Sequence, residues 1–180
     1  MEKHDKKVFV QNLIIYYFAC AFLGWILETL YAYSIFGTFV KRGFLYGIIC
    51  PIYGYGAVIL ILLIEMLKKR DINLIYTFVI ITTTFTLLEY IASLVLEMLF
   101  GIKWWDYTEE FLNIQGRVCL MFSILFGLMG IVFIKRIYNP TKKLIGKLRK
   151  KVPSKVIDIT LSIVIMINLV DTIFSVIRYI

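Results

Sequence analysis

Apolar residues gather into five long stretches separated by short polar or basic segments, and the lengths of those stretches decide the fold class. They cover residues 13–36, 44–67, 72–100, 118–134 and 156–177. About 20 apolar residues cross a hydrocarbon core of about 30 Å at 1.5 Å per residue, so each stretch reads as a transmembrane helix. The fourth is short and can extend toward Tyr138. The third is longer than a bilayer needs, which predicts tilt or last turns that rise out of the hydrocarbon. The second is the least regular: Gly47, Pro51, Gly54 and Gly56 fall near its start. Residues 44–56 can therefore form a broken or re-entrant segment, which a membrane tolerates only where protein or water covers the backbone. The pattern predicts an all-α, polytopic transmembrane bundle of five spans, a single transmembrane domain over residues 1–180.

Polar residues inside these stretches follow helical spacing. On the third, Thr82, Thr86, Glu89, Ser93 and Glu97 recur at steps of three and four, which is one helix face. On the fifth, Ser162, Ile165, Asn168, Asp171 or Thr172, Ser175 and Arg178 share a face. On the first, Tyr17, Ala21, Gly24, Glu28 and Tyr31 do so. On the fourth, Cys119, Ser123, Gly127 and Gly130 form a small-residue strip suited to close helix packing. A charged group in hydrocarbon is costly, so Glu28, Glu89, Glu97 and Asp171 should face a bundle interior, a wet site or a partner. The bland alternative pairs Glu28 with Arg42 or Arg117, and Asp171 with Arg178, purely to fix packing. Glu65 and Asp158 read as boundary residues.

Charge sets an expected orientation. Of the 20 Lys and Arg, fifteen fall on one side of the five-span plan: Lys3, Lys6 and Lys7, then Lys68, Lys69 and Arg70, then nine between Lys135 and Lys155. Five fall on the other side. The positive-inside rule then predicts a cytoplasmic N-terminus and an external C-terminus. With that orientation Glu28, Glu89 and Asp171 lie about 22–26 Å from the cytoplasmic edge, in the outer third. Glu97 lies nearer the outer water, and neutralising Glu89 is expected to matter more than neutralising Glu97. The outer loops carry Lys41, Arg42, Trp104, Trp105, Asp106, Tyr107, Asn113 and Arg117. Trp104, Trp105 and Tyr107 read as interfacial anchors, with a ligand-stacking surface as the alternative. Tyr53 and Tyr55, set among glycines, suit a gate or pocket wall. Between Lys135 and Lys155, Leu144, Ile145, Leu148 and Val152 recur between cations. This reads as a cytoplasmic linker bearing a short amphipathic helix on anionic lipid, or a docking element for a partner.

Composition removes several function classes. A chain that is 61% hydrophobic has no soluble-domain reading. Nucleic-acid binding has no support beyond the net charge of +8. The only histidine, His4, lies in the charged N-terminal tail, so a His-based metal centre or Ser-His-Asp system within the bundle is excluded. There is no GxxxxGK[ST] loop and no CxxC pair. No cleavable leader is expected, since the first apolar run is long and has no small-residue cleavage pattern. Cys20, Cys50 and Cys119 read as small apolar residues, although Cys50 and Cys119 are both expected toward the outside, where a disulfide is permitted.

Several strings in order carry a resemblance. Phe22-Leu23-Gly24-Trp25-Ile26-Leu27-Glu28-Thr29-Leu30-Tyr31 precedes Lys41-Arg42-Gly43-Phe44-Leu45-Tyr46-Gly47 and Cys50-Pro51-Ile52-Tyr53-Gly54-Tyr55-Gly56-Ala57. Then come Leu88-Glu89-Tyr90, Glu97, Trp104-Trp105-Asp106-Tyr107, and Asn113-Ile114-Gln115-Gly116-Arg117-Val118-Cys119-Leu120. Over residues 15–135 the chain resembles the putative ABC-transporter type IV (CmpB-like) family of small bacterial membrane proteins. That resemblance implies a permease-like component of a bacterial plasma membrane, with any ATPase supplied by a separate subunit. Its motif residues coincide with the expected outer-side cluster.

The residues then support an outward-facing acidic site for a small solute, cation or lipid headgroup, built from Glu28, Arg42, Tyr53, Glu89, Glu97, Asp106, Tyr107, Asn113, Arg117 and Asp171. Glu28, Glu89, Arg42 and Arg117 are expected to converge. No cofactor and no catalytic residue is expected, and the partners expected are membrane lipids and another membrane subunit. Two rival readings stand beside this one: a non-catalytic partner or sensor subunit, and a carboxylate-based intramembrane enzyme acting on lipid or envelope substrates.

Overall fold

The computed structural model describes residues 3–67 and 73–180, all helix and loop. Lys68, Lys69, Arg70 and Ile72 lie outside the described residues, as do the side chains of Lys3 and His4. The elements are α1 (Lys3–Phe36), α2 (Pro51–Leu67), α3 (Leu74–Phe100), α4 (Leu120–Val132), a π-helical stretch (Phe133–Tyr138), α5 (Asn139–Lys151) and α6 (Ser154–Tyr179). Among the described residues there is no β-strand, only an isolated bridge between Ile114 and Val118. Among the described residues, four helical segments are long and apolar enough to cross a membrane: Asp5–Phe36, Leu74–Phe100, Leu120–Lys151 and Ser154–Tyr179. The helix of the second stretch, Pro51–Leu67, is shorter.

Two expectations are corrected. Residues 44–50 are not helical, so the helix of the second stretch covers 51–67 rather than 44–67. Proline has no amide hydrogen to donate and favours the first helical position, where Pro51 stands. The amides of Tyr46 and Gly47 donate to the Asp171 carboxylate rather than to a helical ladder. The second correction concerns the start of the basic segment. Helix continues without a break from Leu120 to Lys151, so α5 carries on the helix of α4 with no linker between them. Pro140 can donate no hydrogen bond, and its ring crowds the Arg136 carbonyl; the wider turns of Phe133–Tyr138 lie directly before it.

The chain divides into two compact units. The first comprises residues 3–62 with Leu144–Ile180, and the second Leu63–Lys143. In the first, α1 packs on α6, and α1 meets α2 through two Tyr–Gly contacts. The Tyr53 ring lies against Gly24 and the Tyr17 ring against Gly54, and a methyl group at either glycine would run into the ring. In the second unit α3 packs along α4. Ser123, Gly127 and Gly130 are buried there, with Gly127 against Thr82 and Phe78 and Gly130 against Ile81. The small-residue strip of the fourth stretch thus does what its spacing predicts. Asn73 caps α3 by accepting the Tyr76 amide at 2.9 Å. Gly101, at φ 67°, ends α3 in the left-handed conformation that glycine adopts without a side-chain penalty.

Candidate functional site

In the second unit the C-terminal half of α3 meets the loop 101–119, which folds back over it. Hydrogen bonds made by four residues set the loop. The Tyr107 amide donates to the Gly116 carbonyl at 2.7 Å. The Trp105 indole donates to the Arg117 carbonyl at 2.9 Å. The Asn113 side chain donates to the Thr108 and Glu110 carbonyls and accepts the Gly116 amide, each at 3.0 Å. Asp106 accepts both the amide and the hydroxyl of Thr108. Those bonds, with a smaller contribution from Lys103, hold the Asp106 carboxyl below the usual range. Leu112 and Gln115 take positive φ beside Gly116 at φ 67°. A Cβ at Gly116 would collide with Asp106 and Thr108, so glycine is required on two counts. Asp106 and Asn113, expected as ligand residues, are occupied in building the loop.

The folded loop delivers two side chains to the α3 stripe. The Tyr107 hydroxyl donates to Glu89 Oε1 at 3.0 Å. Glu89 is buried, with 6% of its surface exposed, and its Oε2 has no hydrogen-bond partner among the described residues. Arg117, equally enclosed, donates to the Ser93 hydroxyl at 3.2 Å. Its Nη2 lies 2.5 Å from Glu97 Oε2, a close ionic contact without hydrogen-bond alignment. Glu89, Ser93 and Glu97 thus stand one helical turn apart, facing Tyr107 and Arg117. Two carboxyl groups stand against one guanidinium, and Arg117 is committed to Glu97, so the more deeply buried carboxyl, Glu89, has no cation beside it among the described residues. Trp104 stacks on Phe100 and Tyr107 on Phe122.

In the first unit Glu28 takes the Arg42 partner that its bland reading offered, Oε2 to Nη2 at 3.4 Å, while Oε1 accepts the Tyr53 hydroxyl at 2.7 Å. Tyr53 is therefore a rigid prop between Gly24 and Glu28. Asp171 does not pair with Arg178. Its Oδ1 accepts the Tyr46 amide at 2.9 Å and its Oδ2 the Gly47 amide at 2.8 Å, with Ser175 alongside. Arg178 instead donates to the Phe44 carbonyl at 3.0 Å and lies 4.4 Å from the centre of the Tyr46 ring. Asp171 and Arg178 are thus clamps on the 44–47 turn. Tyr46, Thr108 and Gln115 (which accepts the Tyr90 hydroxyl at 2.8 Å) were not singled out from sequence for these roles. Each works through the backbone or a single neighbour, which leaves no periodic trace. The three cysteines are free.

A helical protein with several apolar segments of membrane-crossing length, and carboxylates enclosed beside them, is a membrane protein of the polytopic α-helical class. The chain belongs to the family described as Putative ABC-transporter type IV, whose model matches residues 15–176. The match thus runs well past residue 135 and takes in α6, including Asp171 and Ser175. No curated protein and no solved structure matches the chain.

Proposed function

We propose that the chain is a permease-like subunit of a bacterial plasma membrane that binds a small cation, or the cationic group of a small solute, at Glu89. The observation that carries this reading is the half-satisfied carboxylate. A buried carboxylate ordinarily collects partners for both oxygens, and Glu89 uses one on Tyr107 and keeps the other unbonded. Arg117 is committed to Glu97, so no cation of the stripe competes for Glu89, and a monovalent cation matches the single charge that carboxyl carries once ionised. Loop 101–119 then acts as the roof of the site, with Tyr107 orienting the carboxylate and Arg117 closing the neighbouring turn. In this reading the chain makes five spans, with α2 as the short one, its N-terminus inside and its C-terminus and the 101–119 loop outside, as the distribution of Lys and Arg favours. In this reading energy coupling comes from a separate ATPase subunit.

Thermal unfolding of the purified protein in detergent tests the site. Alkali cations, ammonium and small primary, secondary and quaternary amines are titrated against the protein. A ligand at a hundred times its Kd raises stability by about 2.7 kcal/mol, which a melt resolves easily. At least one such compound should raise Tm in the wild type and fail to do so in Glu89→Gln. A cation response that is identical in the two proteins, or absent throughout the series, removes Glu89 as the binding group.

A further inference from the structure

The distal part of α5 carries a second feature, unrelated to Glu89. Within α5 the cations Lys142, Lys143, Lys147, Arg149, Lys150 and Lys151 are accompanied by no Asp or Glu. Ile145 turns inward, at 6% exposure, whereas Leu144 and Leu148 stand out at 55% and 52%. They are four residues apart and so share a face. Together with Lys147, Lys150 and Lys151 they line a shallow open strip.

Arg149 fixes where that strip lies in its unit. Its Nη1 donates to Gln11 at 2.6 Å, and its Nε and Nη2 donate to Asn12 at 3.0 and 2.8 Å. Gln11 in turn donates to Asp158 of α6, which also pairs with Lys7 at 2.6 Å. Gln11 and Asn12 immediately precede the apolar run of α1 that starts at Leu13, and Asp158 lies two residues inside the apolar run of α6 that starts at Val156. The end of α5 is therefore level with the polar edge of both apolar helices. That is the depth at which the hydrocarbon of a membrane gives way to headgroups.

We propose that the Leu144, Lys147, Leu148 and Lys151 face of α5 is a binding site for the headgroups of anionic phospholipids, held at headgroup depth by the Arg149–Gln11–Asn12 latch. Charge complementarity selects the occupant. A face of lysines with no carboxylate in its own helix attracts phosphate diesters, and two leucines at the same level enter the acyl boundary while the lysine stems reach outward. Arg149 itself is a positioning residue, because its donors are spent on α1.

The test places a probe at position 148. In a variant with Cys20, Cys50 and Cys119 replaced by alanine, Leu148→Cys carries a bimane label, and the full chain is reconstituted into vesicles of phosphatidylcholine, with or without phosphatidylglycerol. We expect bimane emission to shift blue in the phosphatidylglycerol vesicles and to be quenched there by lipids brominated near the headgroup. High salt, or the Lys147→Gln, Lys150→Gln, Lys151→Gln triple variant, should abolish both effects. Those lysines are exposed, so an unchanged Tm in detergent confirms that the triple variant still folds. Arg149→Ala should reduce the lipid quenching while leaving the three lysines in place. Emission typical of water in both vesicle types overturns the proposal. So does shielding that is equal in both lipids, or that grows with protein density alone, the signature of a second copy covering the face.

Discussion

Glu89 and Glu97 lie on one stripe, but their surroundings predict opposite responses to neutralisation. Glu97→Gln removes the charge facing Arg117, whose guanidinium is almost enclosed. Stripping one partner from a buried pair commonly costs about 3–5 kcal/mol. Here about 1–2 kcal/mol is expected, because Glu97 is itself one-third exposed and such pairs are weaker. Glu89→Gln keeps an oxygen for the Tyr107 hydroxyl and strips no ion-pair partner from a cation, so Tm should stay level or rise. Melts of the two variants side by side should therefore rank them in the reverse of the order that depth alone suggests. A larger Tm loss for Glu89→Gln would mean that its second oxygen has a structural partner. Asp106 gives a pH signature. Its folded carboxyl is held below the unfolded value of about 3.9, so the bonds to Thr108 are at full strength above that pH and fade as pH falls through the lower folded value. Hydrogen exchange in the 101–119 loop should be flat from neutral pH down to about 5, once corrected for the intrinsic rate, and accelerate only below about 4. In Thr108→Ala the onset should move to higher pH. The carboxylate stripe itself was readable in the sequence, because three- and four-residue steps need only the helix. The Arg42 partner of Glu28 was on offer too, but the partners of Asp171 were not, because Asp171 and the 46–47 amides are separated by 124–125 residues and no local pattern links them.

Helix–helix contacts supply the next test. Gly127 faces Thr82 and Phe78 so closely that a methyl group there must displace the Thr82 hydroxyl and the Phe78 ring, whereas Gly146 in α5 has nothing near its Cβ position. Overpacking a tight contact typically costs about 1–3 kcal/mol. Alanine in place of glycine at an unhindered helical site instead gains about 0.5–1 kcal/mol. Gly127→Ala should accordingly lower the detergent Tm and Gly146→Ala raise it. If both variants move in the same direction, the α3–α4 contact is looser than described. The small-residue strip of α4 followed from residue type and spacing alone. Two elements did not. An unbroken helix through Pro140 contradicts the usual meaning of an internal proline, and only the wider π turns reconcile it. Loop 101–119 depends on positive φ at Leu112 and Gln115, residues whose type does not announce such a conformation.

For the molecule as a whole the asymmetric placement of cations makes a directional statement. Single cysteines introduced at Glu109 or Glu110, in an otherwise cysteine-free chain, should react with a membrane-impermeant thiol reagent in intact cells. Reaction only after lysis would reverse the proposed orientation and move the Glu89 roof to the cytoplasmic side. The Asp171 clamp adds a constraint of a different kind, one of time. The turn at 44–47 belongs to the first third of the chain, yet the carboxylate that binds its two amides leaves the ribosome about 125 residues later, which at 5–20 residues per second is a delay of about 6–25 s. Throughout that interval the turn has no native acceptor for either amide. The turn is therefore completed only once α6 has been made, and a ribosome stalled before residue 171 should hold a chain whose early turn is still open to protease.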